Sequence, residues 1–297
     1  MNLTSPSQVK AWCIENGFHP NKVLGQNFLI DQNALKAIVD AGLEGLETRD
    51  RRLGDDVLCL SSHALEIGPG LGVLTEEMLK RGCKVTAIEK DPVLAARLEK
   101  ESKARAEGEP WWKNLSVVTG DALDVLSSTS TSGFDLSGFD AMVSNLPYQA
   151  GTRILLELVQ ARELKAMTVL VQTEVAERLA AKEGSKVRGL AGVWAQLDYD
   201  VRIVRKVSAS CFWPRPEIGS SVVRLDRHER NVGMSEEARK LFHRITKQAF
   251  EHRRKQLGSI FKDLIQSTAR AEELSNEDWI NLAKGLVKNA DTRSVFE

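Results

Sequence analysis

Asn145, Leu146, Pro147 and Tyr148 follow the apolar run FDAMV at 139–143 and Ser144, which places them at the end of a predicted buried strand. There the Asn145 side-chain oxygen and the Leu146 carbonyl can accept both hydrogens of a planar amine. Pro147 fixes the turn, and the Tyr148 ring offers a stacking face to a flat base. The exocyclic amine of adenine is a poor nucleophile because its lone pair is delocalised into the ring. Two acceptors gripping its hydrogens favour the pyramidal, reactive form and stabilise the developing positive charge. This pattern predicts methyl transfer to a nucleobase amine, driven by proximity and in-line geometry without a strong base. Phe212, in CFWPRPE at 211–217, is a candidate for the opposite face of the base, with packing in the core as the equal alternative.

The methyl donor needs its own site, and EIGPGLG at 66–72 can supply one. Gly68, Gly70 and Gly72 lack Cβ atoms, so the backbone can bend tightly and a ligand can approach it closely. A dinucleotide fingerprint would be G-x-G-x-x-G, but here the third glycine comes one place early and Val73 follows it. Glu89 ends the next strand about 20 residues on, where an acidic side chain accepts from a ribose diol in both NAD and S-adenosylmethionine sites. Asp121, with the Ala122 backbone beside it, ends the third strand. It can accept from a cofactor adenine, or it can simply cap the following helix.

These residues need elements to hold them. Pro6 and Gly17 bracket a short first helix, while Asp31 caps a second that Gly42 is expected to stop. Strand-like and helical stretches then alternate from residue 64 to 172, which predicts an α/β fold: a doubly wound, Rossmann-like methyltransferase domain on a parallel sheet. Two strands joined by a rigid proline loop finish the sheet, and only helical patterning remains from Ser235 onward. The expected division is a cofactor-binding catalytic domain over 1–227 and a small helical domain over 228–297. The charge-rich segment 47–63 reads as a surface insertion, and SSTSTSG at 127–133 as a loop.

Lys plus Arg and Asp plus Glu are 41 each, so any nucleic-acid surface must be local. The candidates are Lys182, Arg188, Arg202, Arg205, Arg253 and Arg254; each also fits a solvated helix face. The four cysteines show no zinc spacing, so no metal is expected. No stretch is long and apolar enough to span a membrane and the start lacks a secretory core, so a cytoplasmic protein is expected.

The motifs GQNFLID (25–31), EIGPGLGVLT (66–75), Glu89, GDAL (120–123), NLPY (145–148), QTEVAERL (172–179) and CFWPRPEIGSSVVRL (211–225) occur in one order. In that order the chain resembles the ribosomal RNA adenine dimethyltransferase family, and within it the small-subunit (KsgA, RsmA) branch. The likeness runs over nearly the whole length. AFEHRRKQL at 249–257 is similar to the start of that branch's C-terminal helical domain. The resemblance implies transfer of four methyl groups from S-adenosylmethionine to two adjacent adenines in a hairpin near the 3′ end of 16S rRNA. It implies an immature small ribosomal subunit as partner; a monomer is expected as the working form. It also lays the Gln-Asn-Phe-Leu segment over the cofactor, so Asn27 and Leu29 join Gly68, Gly70, Glu89, Asp121, Ala122 and Asn145 as its contacts. The chain departs from the family pattern at Arg153, after the NLPY turn, and at Trp213. Two alternatives stand beside this reading: the large-subunit dimethyltransferase of the macrolide-resistance type, which shares the cofactor motifs, and a mainly non-catalytic small-subunit assembly factor.

Overall fold

The computed structural model describes residues 1–21, 24–46, 48–49, 58–59, 62–127 and 133–288. Its elements in chain order are α1 (Pro6–Glu15), β1 (Phe28–Leu29), α2 (Gln32–Leu43), β2 (Thr48–Arg49), β3 (Leu58–Cys59), β4 (His63–Ile67), α3 (Val73–Lys80), β5 (Lys84–Glu89), α4 (Pro92–Arg105), β6 (Leu115–Thr119) and α5 (Ala122–Leu126). They continue with β7 (Ala141–Asn145), α6 (Gly151–Ala161), β8 (Ala166–Gln172), α7 (Thr173–Ala180), α8 (Leu190–Asp198), β9 (Tyr199–Val207), β10 (Phe212–Trp213), β11 (Ser220–Arg227), α9 (Glu236–Glu251), α10 (Leu257–Phe261) and α11 (Asn276–Lys288).

The short apolar runs become a seven-stranded sheet in the order β6-β5-β4-β7-β8-β11-β9. Strands β6, β5, β4, β7 and β8 are parallel, and β11 pairs antiparallel with β8. Strands β4, β5, β7 and β8 are buried along nearly their whole length, as strands covered on both faces must be. The chain leaves β4 toward β5 and β6, then returns to lay β7 on the other side of β4. This reversal opens a crevice at the carboxyl ends of the strands, the usual ligand position in such sheets.

Local chemistry explains the helices that flank this crevice. The Asp31 side chain caps α2 by accepting from Ala34 N at 2.7 Å. Gly42 does not stop the helix, which runs to Leu43; it lets α2 pack against β7. A Cβ at Gly42 would sit 2.5 Å from a methyl of Val143, a contact that a sequence cannot reveal. Arg224 lies buried below this helix end and donates to the carbonyls of Ala41 (2.7 Å), Gly42 (3.0 Å) and Glu44 (3.1 Å). A cation at a helix C-terminus satisfies its orphan carbonyls and its dipole together. Within the expected insertion at 47–63, β2 and β3 form an antiparallel pair, and residues 47, 50–57 and 60–61 lie outside the described residues. Residues 128–132 of the expected loop at 127–133 also lie outside them.

The chain divides into two compact units, one of Met1–Ala176 with Arg202–Asp226, the other of Glu177–Val201 with Arg227 onward. The sequence reading kept 1–227 together, but Glu177–Val201 packs with the helical unit. There Val193 and Leu197 of α8 join Phe242, Ile245 and Ala249 of α9 and Trp279 and Ala283 of α11 in one core. Inside this unit the Asp198 carboxylate takes two hydrogen bonds from Arg239, at 2.7 and 3.0 Å. No helix among the described residues is long and apolar enough to cross a membrane, and no metal-holding cluster of acidic, His and Cys side chains occurs among them.

Candidate active site

The turn from β4 into α3 carries Gly68, Gly70 and Gly72 at φ of 67°, 59° and 86°, a left-handed conformation that side-chain-bearing residues rarely adopt. The backbone is also close-fitted from above: a Cβ at Gly70 would meet the Phe28 ring at 3.1 Å. Arg97 of α4 holds the same turn from below, donating to Leu71 O at 2.7 Å while its guanidinium lies over Trp12 at 5.1 Å.

Glu89, 6% exposed, ends β5 beneath the turn. Its Oε2 accepts from Gly70 N at 3.0 Å and its Oε1 from Asp91 N at 2.8 Å, so the carboxylate is aimed by two backbone donors. Burial raises its pKa above the ordinary carboxyl value, against the opposing pull of those N–H groups. Asp121 meets the capping reading of the sequence: its Oδ1 caps α5 through Leu123 N at 2.9 Å, while its Oδ2 accepts from Lys90 Nζ at 2.6 Å. The Lys90 ammonium, first among the causes, holds that carboxyl below its ordinary range.

Sequence reasoning missed Glu66. It sits inside β4 at 1% exposure, accepts from Thr75 Oγ1 at 2.6 Å and lines the same cavity. Burial, with neighbouring Glu89 adding to it, pushes its pKa up to about 8. The signal was present, since a carboxylate within an otherwise apolar strand demands a reason. A group whose folded pKa exceeds its unfolded one holds an extra proton in the native state, so stability falls as pH climbs between the two values. Urea unfolding of the ligand-free protein should therefore show stability declining from about pH 5 to about pH 8, and Glu66→Gln should flatten that decline. Equal slopes in both proteins would refute this.

The segment 24–29 crosses the cavity as a strap. Its end is tied by β1, which pairs with β10 through Phe28↔Trp213 and Leu29↔Phe212. The bulky Trp213 finds its partner here, stacking on Phe28 with ring centroids 6.5 Å apart. The strap also orients Asn145, whose Nδ2 donates to Asn27 O at 3.1 Å. A carbonyl can only accept, so the amide nitrogen must face the strap and Oδ1 is left as the acceptor of the pair.

One cavity is lined by Asn27, Leu29, Gly68, Gly70, Glu89, Asp121, Ala122 and Asn145, all eight of the expected cofactor contacts, and by Glu66, Lys90 and Pro147. Leu146, Tyr148 and Phe212 are not among its lining residues. Tyr148 is half-buried, with its hydroxyl 2.9 Å from Ser220 Oγ. Phe212 requires correction as a base-stacking residue: it is 2% exposed and packs in the sheet core with Leu29, Leu170 and Val222.

The six basic candidates divide between the units. Arg188 must be removed from the RNA set, because it is 1% exposed and donates to Ala181 O at 3.1 Å and Asn276 Oδ1 at 2.7 Å. It ties the 181–189 loop to α11, and Arg188→Ala would remove both bonds and leave a void where its buried side chain packs. The expected loss is about 2–4 kcal/mol in urea unfolding of the full chain; a loss under about 0.5 kcal/mol, the level of an ordinary surface change, would contradict the assignment. On β9, Arg202 pairs with Glu44 and approaches Asp226 at 3.8 Å, and Arg205 is exposed. In the helical unit Arg253 donates to Lys186 O and approaches Glu272 at 3.5 Å, which joins its loop to the one carrying exposed Lys182 and Lys186, while Arg254 is exposed.

Parallel strand ends that bring a glycine-rich turn, an aimed carboxylate and an oriented amide to one cavity define a nucleoside-cofactor α/β methyltransferase. The sequence model described as Ribosomal RNA adenine dimethylase matches residues 17–294, and the chain belongs to that family, whose methyl donor is S-adenosylmethionine. It is 35% identical over 279 residues to Ribosomal RNA small subunit methyltransferase A of Lactobacillus johnsonii, covering 93% of this chain and 89% of that one. The protein of the same name from Rhodococcus erythropolis is 39% identical over 274 residues, covering 91% and 84%. A dimethyladenosine transferase from Plasmodium falciparum superposes with a TM-score of 0.70 at 23% identity, over 88% of this chain and 97% of that one. The 23S rRNA methyltransferase ErmE gives 0.60 at 22% identity, over 87% and 98%. At those identities the structural likeness is one of fold. The cavity itself fits the methyl donor: glycine backbone admits close approach, and the buried Glu66 and Glu89 favour a ligand that brings positive charge and a diol.

Proposed function

We propose that this protein methylates adenine N6 in small-subunit (16S) rRNA, converting two adjacent adenines of the 3′-terminal hairpin to dimethyladenosine on immature small subunits, and that it works as a monomer in the cytoplasm. The single observation that carries the reading is Asn145, whose amide is oriented by Asn27 O at the rim of the cavity lined by Glu89 and the glycine-rich turn. The names of the curated relatives support the small subunit over the large, and a fold shared with ErmE shows that architecture alone does not choose between them.

When bound, S-adenosylmethionine supplies a methyl group already activated as a sulfonium. Gly68 and Gly70 would pass close to it, Glu89 would accept from its ribose, and Asp121, still engaged by Lys90, would face its adenine. Asn145 Oδ1 and the Leu146 carbonyl would accept the N6 hydrogens of the target base. The N6 lone pair would take the methyl group as its bond to the sulfonium sulfur is lost, and the displaced proton would leave to water. Tyr148 is kept as the stacking candidate, its ring held by the hydroxyl contact to Ser220.

Labelled S-adenosylmethionine incubated with unmethylated small and then large subunits, followed by nucleoside mass analysis, tests the assignment. Dimethyladenosine confined to the small subunit is expected. Label in the large subunit would shift the reading to the resistance-type enzyme, and none in either would favour the assembly factor. For RNA contact, Lys182 and Arg254 are the exposed candidates in the helical unit. Their joint reversal, Lys182→Glu with Arg254→Glu, should lower the salt slope of RNA binding by about 2, one per lost phosphate contact. An unchanged slope would move the RNA surface elsewhere.

A further inference from the structure

The strap is held down by a side chain that methyl transfer does not use. Gln26 Oε1 accepts from Asn21 N at 2.7 Å, and its Nε2 donates to Asp91 Oδ2 at 2.8 Å. Asp91 caps α4 with its other oxygen, accepting from Val93 N at 2.9 Å. The Asp91 N–H donates to Glu89 Oε1, and Glu89 Oε2 accepts from Gly70 N. One hydrogen-bonded path thus runs from the strap through Gln26 and Asp91 to the buried Glu89 carboxylate and on to the glycine-rich turn. The polarity of the amide is dictated by its neighbours, because a carboxylate only accepts and a backbone N–H only donates.

We propose that Gln26 is a positioning residue: with Asp91 it latches residues 24–27 over the cofactor cavity, slows cofactor dissociation and holds the Asn27 carbonyl against Asn145. This rests on the cavity being the S-adenosylmethionine site. The two ends of the strap are secured differently. Phe28 and Leu29 are paired with Trp213 and Phe212 and packed on them, and Arg97 independently braces the turn below at Leu71. Breaking the latch should therefore release the leading end of the strap alone and leave the surrounding fold standing.

The test uses the full chain and a swap of polarity. Gln26→Ala removes both bonds. Gln26→Glu sets a carboxylate against Asp91, and Asp91→Asn sets an amide NH2 against the Gln26 NH2 while retaining the helix cap. Each single variant should release labelled S-adenosylmethionine about tenfold faster under a chase of unlabelled cofactor, the scale of a hydrogen bond to a charged group. In the double variant Gln26→Glu/Asp91→Asn the carboxylate accepts from both Asn21 N and the new amide, so complementarity returns with donor and acceptor exchanged. Its release rate should come back to within about threefold of the parent.

Amide hydrogen exchange over residues 24–29 in the cofactor-free chain supplies a second reading, faster in each single variant and restored in the double. Singles that release and exchange like the parent overturn the latch, and so does a double variant whose losses simply add. A parent chain that binds no S-adenosylmethionine while the exchange pattern still follows the swap overturns the site assignment and upholds the latch.

Discussion

Asn145→Ala should lower the methyl-transfer rate by about 10²–10³-fold, the scale seen when one preorganised polar group is removed from a developing charge. Cofactor affinity should fall far less, because Glu89, Asp121 and the glycine-rich turn are untouched. Asn145→Asp separates grip from orientation. It keeps acceptors for the target amine, but turns an oxygen toward Asn27 O, where the native Nδ2 donates at 3.1 Å. Two acceptors facing each other repel, so the Asp variant should also lose activity, despite offering the amine a stronger acceptor. Single-turnover rates with excess cofactor decide it. Near-parental transfer by the Ala variant would remove Asn145 from the chemistry, and near-parental transfer by the Asp variant would show that the strap does not orient it.

The parts of this site legible in the sequence are those fixed by local rules. Glycines after a strand, an acidic residue closing the next strand and a polar turn after a third all stand at strand ends, and a parallel sheet gathers strand ends on one edge. Readings that depended on which neighbour a side chain finds were less secure. Arg188 sits with Lys182 and Lys186 in a run that looks uniformly solvated, and only the fold reveals that it turns inward to Asn276. Phe212 shows the same limit from the apolar side, since an aromatic on a rigid loop is compatible with base stacking or with the core it occupies. The helicity of α8 was open to sequence reasoning, but its period of apolar positions does not name its partner, so the first domain was drawn too large. Glu66 was overlooked for the opposite reason: its strand matched a buried pattern so well that one buried charge passed as part of it.

The charge distribution sharpens what the site must do. A chain with 41 basic and 41 acidic residues has no overall field to attract RNA, and Arg202 and Arg253 are engaged by acidic partners. Recognition must therefore rest on a small exposed group of cations together with the fit of a presented adenine. Cofactor affinity and RNA affinity are then expected to separate, because the carboxylates that favour the first, Glu66 and Glu89, are buried.

That separation makes Glu89→Ala the second large effect. The substitution removes the acceptor for a ribose diol and also strands Gly70 N and Asp91 N, the two donors that now aim the carboxylate at 3.0 and 2.8 Å. Two lost hydrogen bonds from a diol to a charged acceptor correspond to about 3 kcal/mol or more, so S-adenosylmethionine binding should weaken by at least about 10²-fold. Glu89→Gln retains an oxygen for one backbone donor but turns an NH2 toward the other, and should fall between the two. RNA affinity measured without cofactor should change by less than about twofold, since Glu89 is buried away from solvent. Equal losses of cofactor and RNA binding would mean that the change had damaged the fold, and intact cofactor binding would mean that the ribose is held elsewhere.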